Sequence, residues 1–371
     1  MSQNQELQKL IHIGSQFSQQ ETITQIQAFG SGNINATFLA SGQGLNPSPF
    51  ILQRINTNVF RNPKQVMQNM RIYADHVSDR LQKNPLQRRW EVPQVRQTGD
   101  GQDYIETANG EFWRSLSFIE NSHSFDALLN VDHAREVGYA LGTFHHLTSD
   151  LDSAKLADTL VGFHITPLYL EQYTAALATS EHLILRSPEV NYCLNFVESH
   201  KYLAHILEAA KASGKLLLRT MHGDPKVNNI LFDKHTHLAV SVVDLDTIKA
   251  GLIHYDIGDC LRSGCNPSGE ECEQWEDVEF SSELCFAILQ GYLSQASSFL
   301  TESDYAYIYD SIRVITFELG LRFFTDYLLG NVYFAVKYPE HNLLRSLVQF
   351  RLLESIEAQK PAINHIIEKT K

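Results

Sequence analysis

The sequence is poor in cysteine and in basic residues, and it has no long hydrophobic segment. Among 371 residues there are five cysteines. No CxxC pair or zinc-like Cys/His spacing occurs, so we expect reduced thiols. The N-terminal stretch lacks the apolar core of a signal peptide, and no apolar run reaches the length of a membrane span. These absences predict a soluble cytoplasmic protein with no membrane partner. The cysteines are Cys193, Cys260, Cys265, Cys272 and Cys285.

The charge balance disfavours nucleic acid as a partner. Lys and Arg number 30 against 43 Asp and Glu, which gives a net charge of −13. An acidic chain is a poor ligand for a phosphate backbone, and a site for an anionic nucleotide would need a local excess of cations. With 43% hydrophobic and 20% charged residues, the composition is that of an ordinary folded protein. The length suits two lobes.

The order of the predicted elements indicates a fold of the α+β class. In the first third, helices are predicted at 5–19 and 62–83, and strands at 22–29, 36–40, 49–55, 93–98, 102–107 and 111–120. After residue 120, helical patterns dominate at 131–148, 167–178, 189–212, 277–297, 302–328 and 341–369. One loop with two short strands interrupts them near 220–247. We expect a bilobal protein with a small β-rich lobe at 1–120 and a larger, mainly helical lobe at 121–371.

The segment "HGDPKVNN", residues 222–229, carries the clearest chemical signal. His222, Asp224, Lys226 and Asn229 have the spacing of the protein-kinase catalytic loop H-R-D-x-K-x-x-N. Fifteen residues after Asn229, an apolar strand pattern ends in Asp244. A carboxylate can orient an attacking hydroxyl and accept its proton, and carboxylate and amide oxygens can hold Mg²⁺. The segment therefore favours phosphoryl transfer.

Each of these residues also has an ordinary structural interpretation. Asp224 before Pro225 is typical of an Asx turn, and Asp244 could cap a helix or a turn. Taken singly, these interpretations are preferable. Taken together, in this order and spacing, the residues favour a kinase over a set of unrelated turns.

A glycine turn and one arginine are candidates for binding nucleotide phosphates. Gly30, Ser31 and Gly32 lie between the first two predicted strands, where a backbone loop can cover phosphates, although such a turn is usually only a turn. Arg54 is the candidate cation on the third strand, because that strand has no lysine. The alternative for Arg54 is an unpaired surface arginine. The following helix offers only glutamines and no glutamate as its partner.

Six segments carry a resemblance to known enzymes. They are "FGSGNINATFLAS", "FILQRINTNVFRNP", "FWRSLSFIENS", "HGDPKVNNILFD", "VVDLDTIKAGLIHYDIGDCLRSGCN" and "LRFFTDYLLGNVYFAVKYPEHNLLR". Through them the chain resembles the aminoglycoside-phosphotransferase/choline-kinase family of the protein-kinase-like fold. The first, second and last segments are similar to the N-acetylhexosamine 1-kinases. Those enzymes phosphorylate the anomeric hydroxyl of N-acetylglucosamine or N-acetylgalactosamine with ATP and Mg²⁺.

The resemblance implies a role for each matching residue. Asp224 would be the catalytic base, Lys226 would face the transferred phosphate, and Asn229 and Asp244 would bind magnesium. Adenine would bind the hinge at 118–121, which includes Glu120. Asp256 or Asp259 would hold the backbone of the catalytic loop. The residues that would contact the sugar are His164, Arg262, Arg322 and Tyr333.

Other substrates and a non-catalytic role remain open at this point. A kinase of the same family could act on choline, homoserine, methylthioribose or an aminoglycoside, and a polycationic drug would need an acidic pocket. The acidic run at 269–280 could form one, although a solvated loop is the simpler interpretation. A pseudokinase would fit the missing helix glutamate but not the intact Asp224, Asn229 and Asp244. Neither the preferred sugar epimer nor the oligomeric state follows from the sequence.

Overall fold

The computed structural model describes residues 3–18, 22–30, 34–43, 48–180 and 187–371. Its N-terminal part consists of a sheet covered by two helices. The helices are α1 (Gln3–Ser15) and α2 (Pro63–Lys83). The strands are β1 (Thr22–Ala28), β2 (Ala36–Gln43), β3 (Phe50–Ile55), β4 (Val95–Arg96), β5 (Tyr104–Glu106) and β6 (Phe112–Ser117). They form one antiparallel sheet in the order β1-β2-β3-β6-β4, with β5 also paired to β6.

The two faces of this sheet have different neighbours. Side chains alternate across a strand, so Phe50 and Leu52 of β3 pack with α1 while Ile51 and Ile55 pack with α2. On β6, Trp113 belongs to the α1 face and Phe112 and Leu116 to the α2 face. The α2 face is continuous with the core of the helical part. The position of a side chain along β3 or β6 therefore decides whether it reaches the cleft.

The C-terminal part is mainly helical. Its helices are α3 (Val131–Thr148), α4 (Thr166–Ser180), α5 (Pro188–His200), α6 (Ile206–Ala212), α7 (Ile253–Gly264), α8 (Ser282–Ala296), α9 (Glu302–Ala306), α10 (Ile308–Leu328), α11 (His341–Ala358) and α12 (Lys360–Thr370). Short strands lie between them: β7 (Ser122–His123), β8 (Arg219–Met221), β9 (Ile230–Asp233), β10 (Ala239–Val242) and β11 (Lys249–Gly251). β9 pairs with β10 and β7, and β8 pairs with β11.

The predicted fold class is confirmed, with differences in detail. The helix expected at 131–148 has those bounds, whereas the helix expected at 189–212 consists of α5, a 3₁₀ turn and α6. The helices expected at 302–328 and 341–369 are each divided in two, and α7 was not predicted. The proposed lobe boundary, after residue 120, falls between β6 and β7 and stays a prediction. No helix in the described part of the chain is both long and apolar enough to cross a membrane.

Candidate active site

The catalytic-loop motif follows β8 and is fixed by a buried carboxylate. Asp256 of α7 accepts the backbone N–H groups of His222 and Gly223, at 2.6 and 2.8 Å. Gly223 has φ +90, and a Cβ atom there would lie 2.9 Å from Cβ of Thr247, so only glycine fits. The expectation that an acid of α7 holds this loop is confirmed for Asp256. The Asp256 carboxylate is itself held by His145, whose Nε2 lies 2.9 Å from Asp256 Oδ2.

His222 supports the loop from within. Its Nδ1 accepts the backbone N–H of Asp224 at 3.2 Å, and its Nε2 donates to the Val243 carbonyl at 3.0 Å. This bonding uses the neutral ring, and burial lowers the pKa of His222. The expected supporting role of His222 agrees with this geometry.

Asp224 and Lys226 lie together, partly exposed, and the buried Asn229 is bonded to Asp224. Asp224 Oδ1 is 2.9 Å from Lys226 Nζ, and the two side chains are 29% and 45% exposed. Asn229 Nδ2 donates to the Asp224 carbonyl at 2.8 Å. Desolvation lowers the pKa of Lys226, but the Asp224 carboxylate outweighs it and raises that pKa above its ordinary value. An accessible carboxylate beside a firmly protonated lysine suits proton acceptance next to a phosphoryl group.

Asn229 and Asp244 provide oxygens that fit Mg²⁺. Asn229 Nδ2 is engaged with Asp224, whereas its Oδ1 makes no hydrogen bond within the described ranges. Asp244 has a left-handed backbone, φ 62, which turns its carboxylate out of the β10 strand direction. Asp244 is exposed to solvent, yet desolvation by the surrounding protein and the neighbouring carboxylates of Asp246 and Asp224 together raise its pKa. This concentration of negative charge suits a divalent cation held by one or two protein side chains and by substrate phosphates.

Asn35, just before β2, connects the sheet to these acids. Asn35 Nδ2 donates to Asp246 Oδ2 at 2.6 Å, and Asn35 Oδ1 accepts the backbone N–H of Asn56 at 2.9 Å. Gly30, at the start of the turn, has φ +77 and open space around it. The predicted contacts Ser31 and Gly32 lie outside the described residues. The start of β2 and the segment after β10 thus meet through the bond between Asn35 and Asp246.

The placement of Arg54 corrects its expected role as the phosphate cation. Arg54 pairs in register with Trp113 on the α1 face of the sheet, opposite to the cleft. Its side chain is 44% exposed, and Nη1 donates to Glu111 Oε1 at 3.1 Å. Strand alternation directs Gln53, its neighbour, to the other face. Arg54 therefore lies away from Asp244.

Arg114 is the buried cation on the cleft side of the sheet, and the sequence analysis missed it. In the strand register Arg114 lies opposite Gln53. Its side chain is buried, at 1% exposed. Its Nη1 lies 2.6 Å from Asp246 Oδ1, and its Nε donates to Gln53 Oε1 at 2.9 Å. α2 contributes the buried Asn69 and no glutamate. Asn69 Nδ2 donates to the backbone carbonyls of Ala157 and Ile248, at 2.8 and 2.9 Å.

The hinge and two of the predicted sugar contacts are engaged with the chain itself. Glu120 is exposed between β6 and β7, and its carbonyl accepts Arg89 Nη2 at 2.6 Å. Arg262 is 1% exposed and is paired with Asp259 and Glu270, at 2.8 and 2.7 Å. A substrate would have to displace one of these carboxylates to reach it. The structure therefore places Arg262 in the interior, paired with the chain's own carboxylates.

His164 is also enclosed. It is buried, and its two ring nitrogens lie 2.8 Å from Glu318 Oε1 and 2.8 Å from the Gly223 carbonyl. No ring nitrogen is left for a sugar hydroxyl. The expected direct contact is therefore not what this geometry offers, and His164 instead contacts the loop that carries Asp224.

Arg322 and Tyr333 remain open to a substrate. The Arg322 side chain is 13% exposed and lies among the rings of Phe163, Tyr169 and Phe334. Tyr333 is 63% exposed on the loop after α10. That loop is held by Asp326, whose carboxylate accepts the backbone N–H groups of residues 332, 333 and 334 at 2.8 to 2.9 Å. A cation with free donors beside an exposed ring can bind a polar molecule with one flat face.

The fold and the cleft together define a class, the kinase-like phosphotransferases with a sheet lobe above and a helical lobe below. A family model described as the phosphotransferase enzyme family (APH) matches residues 25–275. Since this match spans more than half of the chain, the protein belongs to that family. It is a small-molecule kinase of the aminoglycoside-phosphotransferase and choline-kinase type, and membership implies ATP as the phosphoryl donor.

Solved structures of similar fold include three kinases of small molecules. The amicoumacin kinase hAmiN, in complex with AMP-PNP, Ca²⁺ and Ami, has a TM-score of 0.57 and 15% identity over 98% of this chain and 95% of that chain. The aminoglycoside phosphotransferase from Alicyclobacillus acidocaldarius subsp. acidocaldarius DSM 446 has a TM-score of 0.59 and 14% identity over 96% of each chain. The choline kinase from Cryptosporidium parvum Iowa II has a TM-score of 0.55 and 14% identity over 91% of each chain. At these identities the likeness concerns the fold.

Proposed function

We propose that the protein phosphorylates the anomeric hydroxyl of an N-acetylhexosamine, N-acetylglucosamine or N-acetylgalactosamine, with ATP. The main support for this proposal is the environment of the Arg322 side chain. Its guanidinium lies 5.4, 4.9 and 5.5 Å from the ring centroids of Phe163, Tyr169 and Phe334. Within the described part of the chain it makes no hydrogen bond. Its donors are available to the acetamide carbonyl or the hydroxyls of a sugar.

The same arrangement disfavours a cationic substrate. Three rings could form a cage for a quaternary ammonium group, but the guanidinium of Arg322 fills it. A substrate ammonium about 5 Å from that guanidinium would be repelled by about 3 kcal/mol at an effective dielectric constant of about 20. Glu318 and Asp259 offset this little, because they are paired with His164 and Arg262. A neutral sugar is therefore preferred to choline, ethanolamine or an aminoglycoside.

The acidic run at 269–280 supplies no free pocket for a polycation near its start. Glu270 is paired with Arg262 at 2.7 Å. Glu271 is paired with Lys337 and Arg345, each at 2.5 Å, and these partners lower the pKa of Glu271 to about 2. The first two carboxylates of the run are thus neutralised by the chain's own cations, which supports a neutral substrate.

The reaction follows from the groups around Asp224. The hydroxyl oxygen of the sugar attacks the γ-phosphorus of ATP while the Asp224 carboxylate accepts the hydroxyl proton. The bond between the γ-phosphorus and the β,γ-bridging oxygen breaks, and ADP leaves. An anomeric hydroxyl is more acidic than an ordinary alcohol, so a carboxylate base suffices. Lys226 places a positive charge beside the transferred group. Mg²⁺, held by Asn229 and Asp244, would neutralise charge on the phosphates.

A substrate panel tests the proposal. The protein is incubated with ATP, Mg²⁺ and, separately, N-acetylglucosamine, N-acetylgalactosamine, choline, ethanolamine, homoserine, methylthioribose and an aminoglycoside, and ADP release is followed. We expect release with the N-acetylhexosamines and an acid-labile anomeric phosphate as product. Turnover of choline or homoserine with none of a sugar would reject the proposal.

Asp224→Asn is the matched control for the assigned base. The amide keeps the size of the side chain but cannot accept the proton, so turnover should disappear while nucleotide binding stays near wild type. Turnover in this variant would show that another group is the base. Nucleotide binding by the wild type without turnover of any alcohol would instead favour a pseudokinase.

A further inference from the structure

His164 connects the catalytic loop to the middle of α10. It precedes α4 and has a left-handed backbone, φ 58, which a residue other than glycine adopts only at some cost. Its Nε2 lies 2.8 Å from the Gly223 carbonyl oxygen, next to Asp224. Its Nδ1 lies 2.8 Å from Glu318 Oε1, and Glu318 is fully buried. A strained backbone and two short contacts on one buried ring indicate a specific task.

Both partners of the ring are acceptors. A carbonyl oxygen has no proton to give, and an ionised carboxylate has none, so each ring nitrogen must donate. His164 is then an imidazolium, unless Glu318 is itself protonated. Two further donors favour the ionised carboxylate: Thr166 Oγ1 donates to Glu318 Oε2 at 2.7 Å, and Arg322 Nη1 lies 4.0 Å from Oε1. The geometry thus specifies a charged pair within the core.

The balance of the groups around the ring favours this charge state, with Arg322 opposing it. Burial lowers the pKa of His164, but Glu318 outweighs it and the pKa is raised above the ordinary histidine value. From α10 the ring faces Glu318 and Arg322, and from α4 the hydroxyl of Tyr169 reaches its backbone. From α7, Asp259 raises the pKa further, and the Tyr255 ring stacks on the imidazole with centroids 5.5 Å apart.

The loop is thereby held from two sides. Asp256 holds the N–H groups of His222 and Gly223, and His164 holds the carbonyl of Gly223. A neutral imidazole has one N–H and could keep only one of its two contacts. Loss of the proton would therefore release either the loop or Glu318, and release of the loop would displace Asp224, the residue after Gly223.

We propose that His164 is a positioning residue, an imidazolium that ties the Gly223 carbonyl to Glu318 and thereby sets the position of Asp224. The proposal rests on the proposed function only in taking Asp224 as the base. The same Glu318 oxygen lies near Arg322, so one carboxylate joins the substrate pocket to the catalytic loop. Both ring nitrogens of His164 are engaged within the protein, so we assign it no contact with ATP or with the sugar.

The protonation state of His164 can be measured without any substrate. In ¹⁵N-histidine-labelled protein, the ring of His164 should be doubly protonated at neutral pH and should titrate above the range of an exposed histidine; His164→Asn identifies its resonances. Glu318→Gln, which has the same shape but no charge, should lower that pKa. A neutral His164 ring at neutral pH would overturn the proposal.

Kinetics test the effect on Asp224. Asparagine tolerates a left-handed backbone, but its amide cannot span both partners. We expect His164→Asn to lower kcat by about 100-fold and to change KM for ATP by less than about threefold, because a displaced base affects chemistry more than binding. Glu318→Gln should lower kcat and move the alkaline limb of its pH profile to lower pH, since His164 then loses its proton earlier.

A second buried histidine provides the control. His133 of α3 is 7% exposed and lies outside the site, with its Nδ1 accepting the backbone N–H of Leu129. His133→Asn should keep kcat within about twofold of wild type. A folded His164→Asn with kcat that close to wild type would refute the positioning role. If His164→Asn does not fold, Glu318→Gln and the wild-type titration decide.

The proposed substrate and the proposed positioning role of His164 can be rejected independently of each other. If the protein turns over another alcohol and no sugar, the proposed substrate is wrong, and the kinetic comparison is made with that alcohol. The titration of His164 is unaffected by the choice of substrate. A neutral His164 in an enzyme that phosphorylates N-acetylhexosamines would reject the positioning role alone.

Discussion

Replacing Arg114 should harm the protein far more than replacing Arg54, although the order of the motifs singles out Arg54. The Arg114 and Asp246 side chains are 1% and 2% exposed, with Nη1 and Oδ1 2.6 Å apart. Arg114→Gln would leave a buried carboxylate without its counter-ion, which costs about 3–5 kcal/mol. Arg54 is 44% exposed, and its surface bond to Glu111 contributes at most about 1 kcal/mol.

Thermal unfolding and the KM for ATP measure this difference. For a chain of this length, the entropy of unfolding is about 0.8 kcal/mol per kelvin, so a loss of about 4 kcal/mol lowers Tm by about 5 °C. Arg54→Gln should lower Tm by about 1 °C or less. KM for ATP should rise only in Arg114→Gln, because Asp246 adjoins Asp244 in the cleft.

A double variant separates the buried charge from other effects of Arg114→Gln. Adding Asp246→Asn to Arg114→Gln removes the unpaired carboxylate, so the double variant should recover most of the stability that Arg114→Gln loses. Its change in the free energy of unfolding should therefore be smaller than the sum of the two single changes. The reasoning is refuted if Arg54→Gln raises KM for ATP about tenfold while Arg114→Gln changes neither Tm nor KM. That outcome would restore Arg54 of β3 as the cation that contacts the phosphates.

Three further changes should have measurable effects. Arg322→Met should lower kcat/KM for an N-acetylhexosamine by about 10- to 100-fold, since a hydrogen bond from a charged donor contributes about 1.5–3 kcal/mol; an unchanged value would remove Arg322 from the substrate site. Tyr333→Ala should raise KM for the sugar by up to about tenfold through lost ring stacking, with kcat nearly constant, and a fall in kcat alone would contradict this. Burial lowers the pKa of His254 to about 4 from 6.5, so the unfolded chain binds more protons and stability falls by about 3 kcal/mol as pH drops from 6.5 to 4. Urea unfolding at several pH values should show this slope, and His254→Gln should flatten it.

The catalytic loop could be predicted because its parts are close together in the sequence. Asn229 bonds to Asp224 five residues away, and a turn with Gly223 and Pro225 admits few other geometries. The helix at 131–148 was predicted with its observed bounds for a similar reason, since its apolar period repeats within one element. Local turn chemistry and periodicity therefore account for the reaction class and the two-lobe layout.

The misplacement of Arg54 has a different cause. The sequence identified β3 and β6 as strands but not their facing side chains. Successive side chains point to opposite faces, so an error of one residue exchanges Arg54 for Gln53. Which face meets the cleft depends on α1 and α2, and that packing is decided by the whole lobe. The pairing of Gln53 with Arg114 in the register could not be derived from either strand alone.

The roles of His164 and Glu318 depend on contacts across most of the C-terminal lobe. They bond to each other over a separation of 154 residues, and no periodic pattern links residues that far apart. The sequence offered one usable signal, a glutamate in the apolar middle of the helix predicted at 302–328, because a buried carboxylate requires a cationic or donor partner. It could not name that partner. In this chain the catalytic motif is local in sequence, whereas the contact between His164 and Glu318 is set by long-range packing and could not be predicted from it.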